Sequence, residues 1–295
     1  MALDVYKAVT ARIIELLDRG TVPWRHPIRG GRGERAFPTS LASRRAYRGI
    51  NVFLLAVTAW LEGYESPYWL TYVQARKMGG HVRKGEKGSL VVLWKQYATQ
   101  DKESGEGITV PVLRHYTVFN AEQCEGVEAP VSTIASGQGE ATEFAPIEAA
   151  SAIVERYQAG PRIDHKGDRA FYEPRADLVC IPEPDRFVDP GSYYATLFHE
   201  LVHSTGHSSR LDRGLDENLS AFGSVDYSKE EMVAEMGAAF LAAAAGIGQA
   251  TIEQSAAYID GWRTRVAADT RLVVQSAGMA QRAADWILGE RPGDP

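Results

Sequence analysis

His199-Glu200-Leu201-Val202-His203 constrains this chain more than any other stretch, because it sets two imidazoles four residues apart with a carboxylate beside the first. Four residues is about one helical turn, so on a helix both histidines share a face and can hold one metal ion. Glu200 is then placed to take a proton from a water that the metal activates, the arrangement of a zinc metalloprotease. The flanks fit a helix: the breaker pair Pro190-Gly191 precedes it, Ser192 to Phe198 supply first turns with an apolar face, and Gly206 can end it.

Holding zinc with one position open for water takes a third ligand. A third histidine six residues after His203 would make a metzincin, but Ser209 stands there. His207 follows His203 by four and binds only if the helix continues through Gly206, so it is the second choice. The better source is Ser228 to Leu241, which reads as a helix with Ser228 as N-cap and Glu231 completing a capping box. Glu231 and Glu235 share a face of it. Zincins whose third ligand is a glutamate on a later helix place an acidic or amide partner one turn further on. Glu231 is therefore read as the ligand and Glu235 as the partner that hydrogen-bonds a ligand histidine from outside. A capping carboxylate cannot also bind metal, so these two roles of Glu231 compete. Gly237, Ala238, Ala239 and Ala242 to Ala245 suit close packing against the first metal helix. Tyr227 or His207 is a candidate to stabilise an oxyanion. Two histidines and a glutamate accept Zn2+ and also Mn2+ or Co2+.

At 295 residues the chain has room for two domains, each with its own core. No apolar run is long enough to span a bilayer, and Met1 to Lys7 lacks the basic-then-apolar order of a signal peptide, so no membrane role and a cytoplasmic location are expected. Cys124 and Cys180 have no metal spacing and need not pair. The net charge of -6 hides a division: residues 1–100 hold 16 Lys+Arg against 7 Asp+Glu, a surplus of +9, which leaves -15 for residues 101–295. Such asymmetry points to a basic half that meets a polyanion.

Apolar spacing predicts helices over residues 4–19, 49–64 and 71–78, followed by strands over 89–95 and 108–119 that form a hairpin, so the first domain is α+β. Residues 129–144 turn to Ser, Gly, Ala, Thr and Glu without apolar period and read as a linker between domains at 1–128 and 145–295. The second domain opens with a helix over 147–159. Extended segments at 170–172 and 177–181 follow, suited to an edge strand along which zincins lay a peptide, then the metal helix, the acidic helix and a final helical stretch over 256–289.

Basic residues interleaved with aromatics are what a single strand requires, with cations tracking phosphates and rings stacking on unpaired bases. The candidates are Trp24 and Arg25; Arg44, Arg45, Tyr47 and Arg48; and Arg83, Lys84 and Lys87. Trp60, Trp94 and Trp69 sit at helix or strand spacing and are expected in the core, whereas Trp24 and Tyr47 fall in polar loops.

Thr21-Val22-Pro23-Trp24, Tyr47 to Asn51, Tyr68 to Thr71, Gly79 to Gly88 and Val118-Phe119-Asn120 resemble the N-terminal domain of ArdC-type antirestriction proteins. His199 to His207 and Glu230 to Glu235 resemble that family's zincin-like domain. The resemblance covers nearly the whole chain. It implies a single-stranded-DNA-binding domain fused to a metallopeptidase domain of unknown peptide substrate, carried on conjugative plasmids and shielding incoming DNA from host restriction. Two other readings stand beside it: a DNA-binding protein whose metal site is structural or vestigial and which protects by occupancy, and a general metallopeptidase whose basic domain recognises acidic proteins.

Overall fold

The structure, a computed structural model, describes residues 4–25, 28, 37–100, 107–130, 144–215, 225–247 and 256–290. The Gly/Arg-rich segment 29–35 and most of the expected linker therefore lie outside the described residues.

Helix α1 (Val5–Asp18) starts at Asp4, whose side chain accepts from the amide of Lys7, and buries Val9, Ile13, Leu16 and Leu17 along one stripe. Gly20 supplies the left-handed turn that ends it, at φ 76°. Short strand β1 (Thr39–Ser40), helix α2 (Ile50–Glu62), strand β2 (Tyr68–Leu70) and helix α3 (Tyr72–Lys77) follow, α3 opened by a true capping box between Thr71 and Gln74. After β3 (His81–Val82) come β4 (Ser89–Gln100) and β5 (Gly107–Asn120), paired antiparallel from Ser89↔Val118 to Gln100↔Gly107, and then β6 (Cys124–Glu125). One sheet runs β1-β2-β5-β4, and β3 pairs with β6.

Helix α4 (Phe144–Arg156) leads into β7 (Arg162–His165), β8 (Phe171–Glu173) and β9 (Leu178–Ile181), a sheet of order β7-β9-β8. The expected edge strand thus divides: β9 is central and wholly buried, and β8 forms one edge of the sheet, with β7 at the other. Helices α5 (Pro190–Ser204), α6 (Val225–Ala244), α7 (Ala256–Ala268) and α8 (Leu272–Leu288) complete the chain, so the final helical stretch is two helices.

Helix α6 runs through the interior, with Met232, Val233, Met236, Phe240 and Leu241 all buried. A helix buried nearly all round needs small residues where neighbours close in. At Gly237 a Cβ would stand 2.7 Å from a methyl of Val202, so only glycine lets α6 reach α5 there. The N-terminal half also packs on α6: Phe53 of α2 meets Phe240 with ring centroids 4.8 Å apart, and Trp24 meets Trp262 of α7 at 5.6 Å. The largest buried cluster draws on both halves, and two smaller ones, around Trp69 and around Leu70, lie within the N-terminal half. The fold is α+β, and none of the described helices is long and apolar enough to cross a membrane.

Candidate metal centre

Helix α5 begins at Asp189, whose carboxylate accepts from the amide and hydroxyl of Ser192, and Pro190 occupies its first turn. It ends at Ser204, with Thr205 as C-cap. Gly206 is not in a left-handed conformation, and a Cβ there would stand 2.5 Å from a side-chain methyl of Leu215, which would have to shift. His207 consequently lies past the helix and is engaged with Ser209.

His199 and His203 face the same way from α5, and Glu231 reaches toward them from α6. The two Nε2 atoms are 3.1 Å apart, and the Glu231 oxygens lie 3.6 Å from His199 Nε2 and 3.5 Å from His203 Nε2. A tetrahedral ion with bonds of about 2.0–2.1 Å separates its ligand atoms by roughly 3.3 Å, so these donors already have the spacing that a divalent cation requires. They are the one group of three such side chains found among the described residues. Glu200 is buried beside them, at 8 % exposure, and no hydrogen bond ties it to another described side chain.

The acidic helix differs from expectation at its start. It begins at Val225, three residues before Ser228, which is therefore an interior, buried residue, and no capping box competes for Glu231. The side chain of Tyr227 lies outside the described residues.

Glu235 does not support a histidine. Its carboxylate accepts from Trp24 Nε1 at 2.9 Å, from Arg25 at 3.3 and 3.4 Å, and from the Tyr258 hydroxyl. Glu230 has the supporting role instead, 3.2 Å from His203 Nδ1. Four residues along α6 turn Glu235 one helical rise away toward the N-terminal half, whereas adjacent Glu230 and Glu231 straddle the His203 ring. Arg213 holds Glu230 in a fork at 2.6 and 2.9 Å, and the same guanidinium donates to the Val202 carbonyl at 2.9 Å and Thr205 Oγ1 at 2.7 Å. Arg213 thus caps the end of α5 while fixing the residue that fixes His203. Burial would lower the His203 pKa, but the hydrogen bonds to Glu230 and Glu231 outweigh it and raise it to about 10. Burial would raise Glu231, and its contacts with His199 and His203 hold it well below the usual carboxylate range. A cation here takes the place of a proton.

Arg210 is a second strut. It donates to the carbonyls of Ser204 and Ala159, both at 2.8 Å, and pairs with Asp177, tying the end of α5 to the turn before β9. Sequence reasoning missed Glu230, Arg213 and Arg210. The only signal was two arginines within ten residues of the motif, and the fold alone shows where they point.

The proposed DNA contacts are dispersed. Trp24 is fully buried and Arg25 is spent on Glu235 and the face of Tyr258, so neither presents a free group to a strand. The polar loop was misleading because it docks on α6. Tyr47 is half-buried, and burial pushes its hydroxyl up to about 12. Arg48 pairs with Asp285 and Arg83 with Glu86. Arg44 is exposed over the Tyr68 ring, Arg45 is exposed, and Lys84 and Lys87 are exposed without an ion pair among the described residues. Of the tryptophans expected in the core, Trp69 is there at 1 % exposure, but Trp60 and Trp94 are 46 % and 48 % exposed.

Fold and site together define a protein with a zincin-like metallopeptidase half. A family model described as a zincin-like metallopeptidase matches residues 148–279, and one described as the N-terminal domain of anti-restriction factor ArdC matches residues 3–119. The crystal structure of the antirestriction ArdC protein from plasmid R388, metal-free, superimposes with a TM-score of 0.75 at 39% identity, covering 98% of this chain and 100% of that one. Its Mn(II)-bound form gives 0.73 at 38%, covering 97% and 98%. An uncharacterized protein of Sinorhizobium fredii, y4eC, is 35% identical over 98% of this chain and 92% of its own length. The DNA primase TraC of Escherichia coli is 35% identical over 96% of this chain, which spans only 20% of the primase. The chain belongs to the ArdC antirestriction family.

Proposed function

We propose that the protein binds single-stranded DNA through its N-terminal half, hydrolyses a peptide bond at the His199–His203–Glu231 centre, and in doing so protects incoming plasmid DNA from restriction. The observation that carries the catalytic part is the convergence of two imidazole nitrogens and a carboxylate at metal-ligand spacing with a buried, untethered Glu200 beside them. A divalent ion held there supplies charge to polarise a carbonyl and to acidify water. Glu200 takes the proton of the attacking water and returns it to the leaving amine. Among the described residues, edge strand β8 has no strand on its outer side, so an extended peptide can pair there. Zn2+, Mn2+ and Co2+ all suit this donor set, and the Mn(II)-bound relative favours no single one of them for this chain.

Two substitutions test the reading. Glu200→Gln retains metal content and loses hydrolysis of a peptide library, while His203→Ala loses both. If Glu200→Gln protects plasmid DNA as well as the parent protein does, the site acts without proteolysis.

A further inference from the structure

The β4–β5 ribbon outruns the core. From Leu93 to Gln100 every residue of β4 is exposed. Leu93, Tyr97 and Val110 are 51 %, 40 % and 39 % exposed, a cluster that an ordinary solvated ribbon does not need. On one face the ribbon is anchored: Trp94 meets Tyr6 of α1 edge-on at 6.4 Å. The register Leu93↔Arg114, Lys95↔Val112 and Tyr97↔Val110 places Leu93, Lys95, Tyr97, Val110, Arg114 and Tyr116 together on the other face.

That face has a one-sided chemistry. Lys95 Nζ lies 5.7 Å from the centre of the Tyr116 ring and the Arg114 guanidinium 5.5 Å from that of Tyr97. Neither cation pairs with a carboxylate among the described residues. The 12 residues of β4 and 14 of β5 include no Asp or Glu, in a chain that has 38. Across an interface a positive patch meets a negative one, so this face fits an anionic partner. Tyr97 is exposed, Tyr116 is partly buried against Val91 and its neighbours, and cations set over such rings with no acid suit a polyanion that also offers flat apolar faces. A duplex keeps those faces stacked inside; a single strand does not.

We propose that this ribbon face, and not the loops around Trp24 and Arg48, is the main surface along which a single strand lies. Lys95 and Arg114 take phosphates, and Tyr97 and Tyr116 stack on bases. The inference rests on the single-strand reading above and gives it a place.

The test uses the full chain and fluorescence anisotropy of a labelled oligothymidylate of about 15 nucleotides, a length that spans the site sizes of single-strand binders. Tyr97→Ala and Tyr116→Ala each lower affinity by roughly fivefold or more, as loss of a stacked base does. Lys95→Gln and Arg114→Gln each reduce the slope of log affinity against log salt by about 0.7. Thermal melts check that the fold is intact: Lys95, Tyr97 and Arg114 are exposed, whereas Tyr116→Ala also removes packing on the cluster of Leu55, Trp69, Val91 and Val118, so its affinity is read at a temperature where it remains folded. Parent-like affinity in all four variants, with loss instead in Lys84→Gln/Lys87→Gln, overturns the ribbon and keeps the single-strand reading. No binding by the parent protein overturns both. A parent dimer that the same four substitutions dissociate, without change in DNA affinity, means that a second copy covers the ribbon, which also overturns it.

Discussion

Glu230 lies 3.2 Å from Nδ1 of His203, and Arg213 grips the same carboxylate from its other side. The imidazole is thereby turned so that Nε2 faces Glu231 and His199, which is how a carboxylate outside the ligand set fixes a metal-binding ring.

Removing that support should loosen the metal without removing a ligand. Glu230→Ala is expected to weaken Mn(II) or Zn(II) affinity about 10–100-fold, measured by competition with a chelator. Arg213→Gln should act in the same direction and less strongly. Glu235→Gln should leave metal affinity unchanged, because its partners are Trp24, Arg25 and Tyr258. Equal losses for Glu230→Ala and Glu235→Gln would show that the support runs through Glu235 after all.

The approach of α6 to α5 is the second thing the centre depends on. Gly237→Ala normally gains helix stability, by about 1 kcal/mol. Here the new methyl would meet Val202 at 2.7 and 2.8 Å, and a β-branched side chain inside a helix has one strongly preferred rotamer, so it gives way only at a cost. The net effect expected is a loss of about 1–3 kcal/mol in denaturant unfolding. Gly237→Ala with Val202→Ala should recover part of it, and an unchanged midpoint for Gly237→Ala alone would refute the contact.

How much of this the sequence revealed follows from the range of each interaction. The HExxH spacing is local, so the shared face of His199 and His203 could be read directly, and Glu231 followed from needing a third donor on a later helix. Which neighbour of Glu231 supports a ligand depends on the rotation of α6 about its axis, which Gly237 and Val202 set across a tertiary contact. Spacing favoured Glu235, and packing selects Glu230. The tryptophans failed for a related reason. Strand alternation says which residues share a face but not whether anything covers it, so Trp94 was expected inside on a ribbon that leaves the core. Trp24 was expected outside on a loop that enters it.

Asp177 gives the pH dependence a sign. Burial would raise its pKa, but the Arg210 guanidinium and the Tyr172 hydroxyl outweigh burial and hold it below its ordinary value. A depressed folded pKa contributes stability that is present above the unfolded value of about 3.9 and is lost as pH falls through the folded one. Asp177 has φ 46°, a left-handed conformation that asparagine tolerates equally, so Asp177→Asn removes charge without backbone strain. The Arg210 side chain is 1 % exposed but that of Asp177 is 33 %, so solvent screens part of the pair. A loss of about 1–3 kcal/mol is expected at pH 7. The gap between parent and variant should close only as pH falls below the depressed folded pKa of Asp177, where both lack the charge. A gap that persists there would assign the effect to packing.

Trp24 separates folding from DNA recognition. Its ring is fully buried against Trp262, and its Nε1 donates to Glu235 at 2.9 Å. Trp24→Ala is expected to cost about 3–5 kcal/mol of stability, the range for large aromatic side chains removed from a core. Trp24→Phe keeps most of the buried area and removes one hydrogen bond from a carboxylate that retains Arg25 and Tyr258, so a loss of about 1–3 kcal/mol is expected. Neither change touches the exposed ribbon. Under conditions where the variants remain folded, both should therefore bind oligothymidylate with the parent's affinity and salt slope. A Trp24→Phe protein that melts like the parent yet binds the strand tenfold more weakly would place this ring in the DNA interface and contradict its position beneath α6.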